Sequence, residues 1–240
     1  MSDSLRLAKR VPDLVSCSRS ESAKYIENGF VTVDGLVVEE PGFRVQQYQK
    51  IELLPNAKLA AVEAVTILLN KPAALDIETS PDAALKLITP DNRTPDDRSG
   101  IRFIKRHLAG LKLIDPLGSQ SSGLVVLTQD WHVSRKLISD SAKIEQEYII
   151  EISGEILPDG LKLLNRGIQV NGKQIPVKAS WQSETKLRFA FKGVHRSQIA
   201  DMCASVGLTV LSMKRIRLGR VPMSSLQVGK WRYLLGYEQF

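Results

Sequence analysis

Between residues 186 and 232 the chain carries ten lysines and arginines, with Arg196, Lys214, Arg215 and Arg217 among them, against a single acid, Asp201. That local excess is larger than the net charge of +7 on all 240 residues. Cations gathered in this way suit contacts to phosphate, although a solvated face can carry the same residues. A second set, Arg6, Lys9 and Arg10 followed by Arg19 and Lys24, falls in a segment whose charge is balanced, with eight basic and eight acidic residues in positions 1–60. Balance is no obstacle to a phosphate-binding stripe, provided the acids lie on the opposite face. His107, His132, His195, Cys17 and Cys203 are too scattered to form a zinc site. The two cysteines read as reduced thiols of a cytoplasmic protein.

The elements that must position these groups can be read from periodicity and punctuation. Leu5, Leu7 and Val11 begin an apolar helix face. Ser18 with Glu21 makes a capping box for a second helix that carries Ala23 and Ile26 and stops at Asn28-Gly29. A hairpin over Phe30–Val38 turns at Asp34-Gly35. Pro41-Gly42 makes a further turn before strands at Phe43–Val45 and Lys50–Leu53. Residues 54–64 read as a linker. Ile67–Leu69 and Leu124–Leu127 are buried strands, and Asp130 caps a helix over Trp131–Ile138. Tyr148–Ile152 and Lys186–Phe191 are strands, Leu161–Leu164 is a helix, and Val170–Lys173 is a turn. A helix through Ile199, Met202, Cys203 and Val206 ends at Gly207. Residues 76–100 form a surface excursion without a clear assignment. Helices and strands intermix in an α+β pattern. No apolar run approaches the ~20 residues that span a bilayer, and the first residues lack a secretion signal.

These residues resemble a known family. Arg6-Leu7, Lys9, Ser18-Arg19, Ala23, Ile26, Gly29, Val31, Val33, Asp34-Gly35 and Val45 resemble the S4 RNA-binding domain. Leu117, Ser121, Gly123, Leu124, Leu127, Thr128 and Asp130 match the active-site motif of the RsuA/RluF-type ribosomal RNA pseudouridine synthases. Asn70-Lys71-Pro72, Tyr148, Gln198-Ile199, Met202, Lys214–Gly219 and Trp231-Arg232 continue the match. The resemblance implies a small S4-like domain over 1–58 and a synthase-like domain over 66–240. The latter is a mixed, mainly antiparallel sheet with flanking helices.

The resemblance also implies the chemistry, and the chain departs from it there. The family flips a uridine out of its stack and isomerises it with one aspartate, an arginine that pairs with it and a tyrosine against the base, without metal or cofactor. Here Gly118 stands at the aspartate position and Pro116 two places before it. Ser197, Ala200 and Asp201 stand at three arginine positions of the later motif, and Arg196 is displaced by one residue. Asp115 lies up to about 10 Å from position 118 along an extended chain, so it is not expected to substitute in a site that tolerates only ~0.5 Å of looseness.

The expectation is therefore a degenerate pocket of Leu117, Gly118, Ser121, Tyr148 and Gln198, with no catalytic residue. RNA would be held by Arg6, Lys9, Arg10, Ser18, Arg19, Lys24, Lys71, Arg196, Arg215 and Arg217. The protein reads as a cytoplasmic monomer that binds RNA, above all ribosomal RNA, and neither DNA nor membrane, with weak or no isomerase activity. The alternative is an active synthase with a displaced acid. A third reading, an assembly module that makes no RNA contact, is disfavoured by the basic segment.

Overall fold

In a computed structural model, residues 4–58, 63–170 and 172–240 are described. The chain divides into two compact units. The first comprises the N-terminal residues through Ala64 together with Arg102–Gly110, and the second comprises Val65–Ile101 and Leu111–Phe240. Parts of the expected linker, and Asn171 of the expected turn, lie outside the described residues.

In the first unit, strand β1 (Leu5–Arg6) leads into helix α1 (Leu7–Arg10) and then α2 (Arg19–Glu27). Strands β2 (Val31–Val33), β3 (Leu36–Val37), β4 (Arg44–Val45) and β5 (Ile51–Leu53) follow. The first helix is shorter than expected, because Leu5 and Arg6 pair with Val45 and Arg44 instead of joining it. The cap of α2 forms as its residues dictate: Ser18 Oγ accepts from Glu21 N at 3.2 Å and the Glu21 carboxylate accepts from Ser18 N at 2.7 Å. Asp34 and Gly35, both at positive φ, turn the hairpin between β2 and β3. Leu7, Val11, Ile26, Val31 and Val45 form the core of this unit.

The second unit is built on strands β6 (Thr66–Lys71), β7 (Lys112–Ile114), β8 (Ser121–Thr128) and β9 (Gln146–Gly154). A small hairpin of β10 (Ile168–Val170) and β11 (Lys173–Ile175) precedes β12 (Val177–Ser183), β13 (Lys186–Phe191) and β14 (Leu208–Leu218). Short β15 (Val221–Pro222) and β16 (Trp231–Tyr233) complete the set. Helices α3 (Asp82–Leu85), α4 (Trp131–Ser139), α5 (Gly160–Asn165) and α6 (Arg196–Ser205) flank it. The main sheet runs β12-β13-β9-β14-β8-β6-β16, with β7 on β8 and β15 on β14. Every pairing is antiparallel except β14 with β8, where Arg215 faces Gly123 in parallel. Leu68, Leu124 and Val126 are fully buried and pack with Ile114 and Leu137 into the core. The unassigned stretch 76–100 contains the single turn of α3, a 3-10 turn at Pro90–Asn92 and an isolated bridge from Arg93 to Trp231. Asp130 caps α4 by accepting from His132 N at 2.7 Å.

Candidate active site

Strand β7 ends against Val126, and the next residue, Asp115, takes a left-handed backbone (φ 45°) before Pro116. That bend brings its carboxylate to the parallel seam between β8 and β14. Asp115 Oδ1 accepts from Arg196 Nη1 at 3.0 Å, and Oδ2 accepts from Arg215 Nη1 and from Gln146 Nε2 at 3.3 Å. The arginines also grip the loop backbone: Arg215 Nη2 donates to Asp115 O at 3.0 Å and Arg196 Nη2 to Pro116 O at 2.9 Å. Arg215 is wholly buried, and its Nε donates to Leu124 O at 2.7 Å. Tyr148 faces Arg215 across β9 and β14, and its hydroxyl donates to Gln146 Oε1 at 2.9 Å. Asp115, Gln146 and Arg196 line a cleft of about 440 Å³ walled by Ile138, Ala142 and Ile144, within the range of small-ligand sites.

Electrostatics favour the charged forms. Burial alone would raise the Asp115 carboxyl, but Arg215 and Arg196 outweigh it and hold it below the usual carboxylate range. Burial disfavours the Arg196 cation, yet the Tyr148 hydroxyl and Asp115 beside it raise its pKa further. Because the folded Asp115 carboxyl has the lower pKa, its contribution to stability is complete above the unfolded value of about 4 and is lost as pH falls through the folded value. We expect the melting temperature to fall as pH drops below about 4, and the fall to be shallower in Asp115→Asn; thermal melts across an acid pH series check it.

Two loops meet over this carboxylate. Ala74 stands at positive φ (65°) and donates its N–H to Ser119 O at 3.0 Å. Asp76 caps the following turn through Glu78 N and Thr79 N, and Ile77 is fully buried. This brings Glu78 over Gly118, where a Cβ would lie 2.9 Å from Glu78 Oε2, with Arg196 Nη2 3.7 Å from Oε1. Gly118→Asp therefore sets two carboxylates side by side. We expect it to destabilise the fold by about 1 kcal/mol and Glu78→Gln in the same chain to recover that loss, as read from denaturant midpoints.

The sequence-predicted residues separate into distinct environments. Leu117 and Ser121 are buried beneath the loop, and Gly118 lies at its surface under Glu78. Tyr148 is only 1% exposed, and its ring already stacks on Phe191, with centroids 5.6 Å apart and planes 7° from parallel. The expected base-stacking face is thus occupied, and the hydroxyl is the part that reaches the site. Gln198 caps α6 by accepting from His195 N at 2.8 Å and does not line the cleft.

Three expected phosphate contacts need correction. Lys71 is fully buried, donating to Ser121 O at 2.6 Å and Pro72 O at 3.0 Å, and burial lowers its pKa against the pull of Asp76. Arg215 is buried on Asp115, and Arg217 is held by Glu145 and Glu147. Lys71 and Arg215 face no open surface, and Arg217, though partly exposed, has its charge compensated by the two carboxylates. Arg6, Lys9, Arg19 and Lys24 are exposed, Arg10 pairs with Asp13, and Ser18 serves the α2 cap. Arg196, only 15% exposed along its side chain, belongs to the carboxylate pair. Sequence reasoning missed Glu78 and Gln146, which no motif marks, and discounted Asp115.

Residues 5–48 match the S4 domain family. The N-terminal domain is an S4 domain. Across 97% of this chain and 93% of the relative, the sequence is 27% identical to the ribosomal large subunit pseudouridine synthase B of Bacillus subtilis. It is 25% identical to the ribosomal small subunit pseudouridine synthase A of Vibrio cholerae, over 98% of this chain and 97% of that one. The dual-specificity RNA pseudouridine synthase RluF of Escherichia coli is 26% identical over 98% of this chain and 77% of its own length. A solved structure described as a pseudouridylate synthase superposes with a TM-score of 0.57 at 22% identity, covering 96% of both chains. The S4 domain is thus followed by the pseudouridine synthase fold. Among the described residues no helix is long and apolar enough to cross a membrane.

Proposed function

We propose that this protein isomerises uridine to pseudouridine in ribosomal RNA, with Asp115 as the reacting carboxylate. The observation that carries this reading is the Asp115 carboxylate in the cleft, bound by Arg196 and Arg215 and joined through Gln146 to the Tyr148 hydroxyl. The names of its full-length relatives support the same reading. Against the family motif, the carboxylate has moved from position 118 to 115 and the arginine to 196. Both members of the ion pair have moved, so neither charge is stranded.

A flipped-out uridine would place its C1′ against Asp115. The carboxylate attacks C1′, and the C1′–N1 bond breaks with its electron pair leaving on the base. The base turns and bonds through C5, which expels the carboxylate. The C5 proton is lost and N1 gains one, so nothing is oxidised, reduced or consumed. Arg196 and Arg215 hold the carboxylate charged between turnovers, and Tyr148 positions Gln146. The S4 domain, with exposed Arg6, Lys9, Arg19 and Lys24, supplies phosphate contacts, joined by Lys186, Lys192 and Arg220, which are exposed in the basic C-terminal segment. The protein would act as a cytoplasmic monomer.

One observation favours the second reading, an RNA-binding protein without isomerase activity. Tyr148 is only 1% exposed and Phe191 stacks on one face of its ring, which leaves no open face to a base. Incubating purified protein with transcribed ribosomal RNA and quantifying pseudouridine separates the two. Formation that is abolished by Asp115→Asn supports isomerisation. RNA bound in a salt-dependent manner with no pseudouridine formed supports the second reading.

A further inference from the structure

Helix α4 presents an aromatic-cationic face that the Asp115 chemistry does not use. Trp131 opens the helix and is 58% exposed, a large apolar surface to leave in water. The Arg135 guanidinium lies 5.1 Å from the Trp131 ring centroid, and the His132 ring meets it edge-on at 5.1 Å. One turn further, Ile138 is 59% exposed and forms part of the wall of the Asp115 cleft. From Trp131 to Ser139 the helix has no acid. Its capping Asp130 is spent on backbone N–H groups, and Asp140 beyond its end pairs with Lys143. His132, Arg135 and Lys136 are exposed, so the face is positive and aromatic and leads directly to the cleft.

From this we infer that Trp131 and Arg135 form a stacking platform for an unpaired nucleotide of the RNA, beside the nucleotide that enters the Asp115 cleft. The indole face stacks the base, the guanidinium adds cation–π contact and meets the phosphate, and Ile138 carries the strand onward to the cleft. The chemistry selects a single-stranded polyanion with flat bases: an acidic peptide would satisfy Arg135 but not the tryptophan face. The inference rests on RNA as the ligand and is independent of whether isomerisation takes place.

The test uses full-length protein with a single-stranded oligoadenylate RNA 12-mer and an RNA duplex of equal length. Stacking is worth about 1–3 kcal/mol per base, so Trp131→Ala should weaken oligoadenylate binding about 5- to 150-fold. Trp131→Phe, which keeps a ring, should stay within about fivefold of the unsubstituted chain, and duplex affinity should be unchanged in both. In a Trp181→Phe background, which removes the other exposed indole, oligoadenylate should quench the Trp131 emission. Equal oligoadenylate affinity in Trp131→Ala and the parent would overturn the inference, as would equal losses for oligoadenylate and duplex. Quenching by oligoadenylate in a protein that forms no pseudouridine would leave the platform standing and sink the functional reading alone.

Discussion

Asp115→Asn should reduce pseudouridine formation by at least about 10³-fold while leaving RNA affinity nearly unchanged. The rate effect follows from removing the one charged group that can add to C1′ at the centre of the cleft. The amide keeps the shape of the side chain but cannot carry the charge that Arg196 and Arg215 are arranged to hold. A second effect accompanies it. Arg215 is wholly buried and would lose its counter-charge. Breaking a buried pair from one side costs about 3–5 kcal/mol; because the Asp115 side chain is 35% exposed, we expect about 2 kcal/mol after solvent screening. Single-turnover assays with ribosomal RNA transcripts, read beside thermal melts of the same preparations, separate the two. A variant that is destabilised yet fully active would remove Asp115 from the chemistry and leave it as a structural counter-ion.

Gly123→Ala should be among the most destabilising single-methyl changes in the second unit. Gly123 sits at φ +98°, and a Cβ there would overlap the backbone carbonyl and nitrogen of Arg215 across the parallel seam. Neither is the free end of a flexible side chain, so β8 and β14 must separate. Backbone strain of about 1–3 kcal/mol and overpacking of about 1–3 kcal/mol give about 2–6 kcal/mol together. At about 2–4 °C per kcal/mol for a chain of this size, the melting temperature should drop by about 4–24 °C. Gly35→Ala is the control, since a Cβ there meets nothing within 4 Å although φ is +81°, so only the conformational cost of about 1 kcal/mol remains. Similar melting temperatures for the two variants would show that the seam tolerates widening. Gly123→Ala should also disturb catalysis, because Arg215, the residue it displaces, holds Asp115.

Much of the architecture is legible in the residues. The Ser18/Glu21 box, the Asp34-Gly35 turn, the Asp130 cap and the apolar runs at Ile67–Leu69 and Leu124–Leu127 each specify a local structure with one energetically preferred form, and each appears. The site was harder to read because its geometry is non-local. Asp115 was discounted on its distance from position 118 along an extended chain, but the left-handed bend at Asp115 turns the carboxylate towards the seam between β8 and β14. Arg196 likewise stands one residue from an arginine position, yet at the first turn of α6 it points at Asp115. Two displacements that look like losses in separate motifs meet as an ion pair in space. The burial of Lys71 and Arg215 and the pairing of Arg217 were hidden for the complementary reason: a basic residue in a sequence shows its charge but not the carbonyls and carboxylates that the sheet brings to it. The Tyr148 hydroxyl bonds Gln146, while the stacking partner of its ring, Phe191, comes from the neighbouring strand β13 and leaves no trace in the local sequence.

The central claim is that the displaced Asp115 carboxylate performs the isomerisation. It is tested most directly by mapping pseudouridine at nucleotide resolution in the ribosomal RNA of cells lacking this protein. Loss of a specific pseudouridine is predicted, with restoration by the unsubstituted chain and none by Asp115→Asn at equal expression. An unchanged map in the deletion, or full restoration by Asp115→Asn, would contradict it.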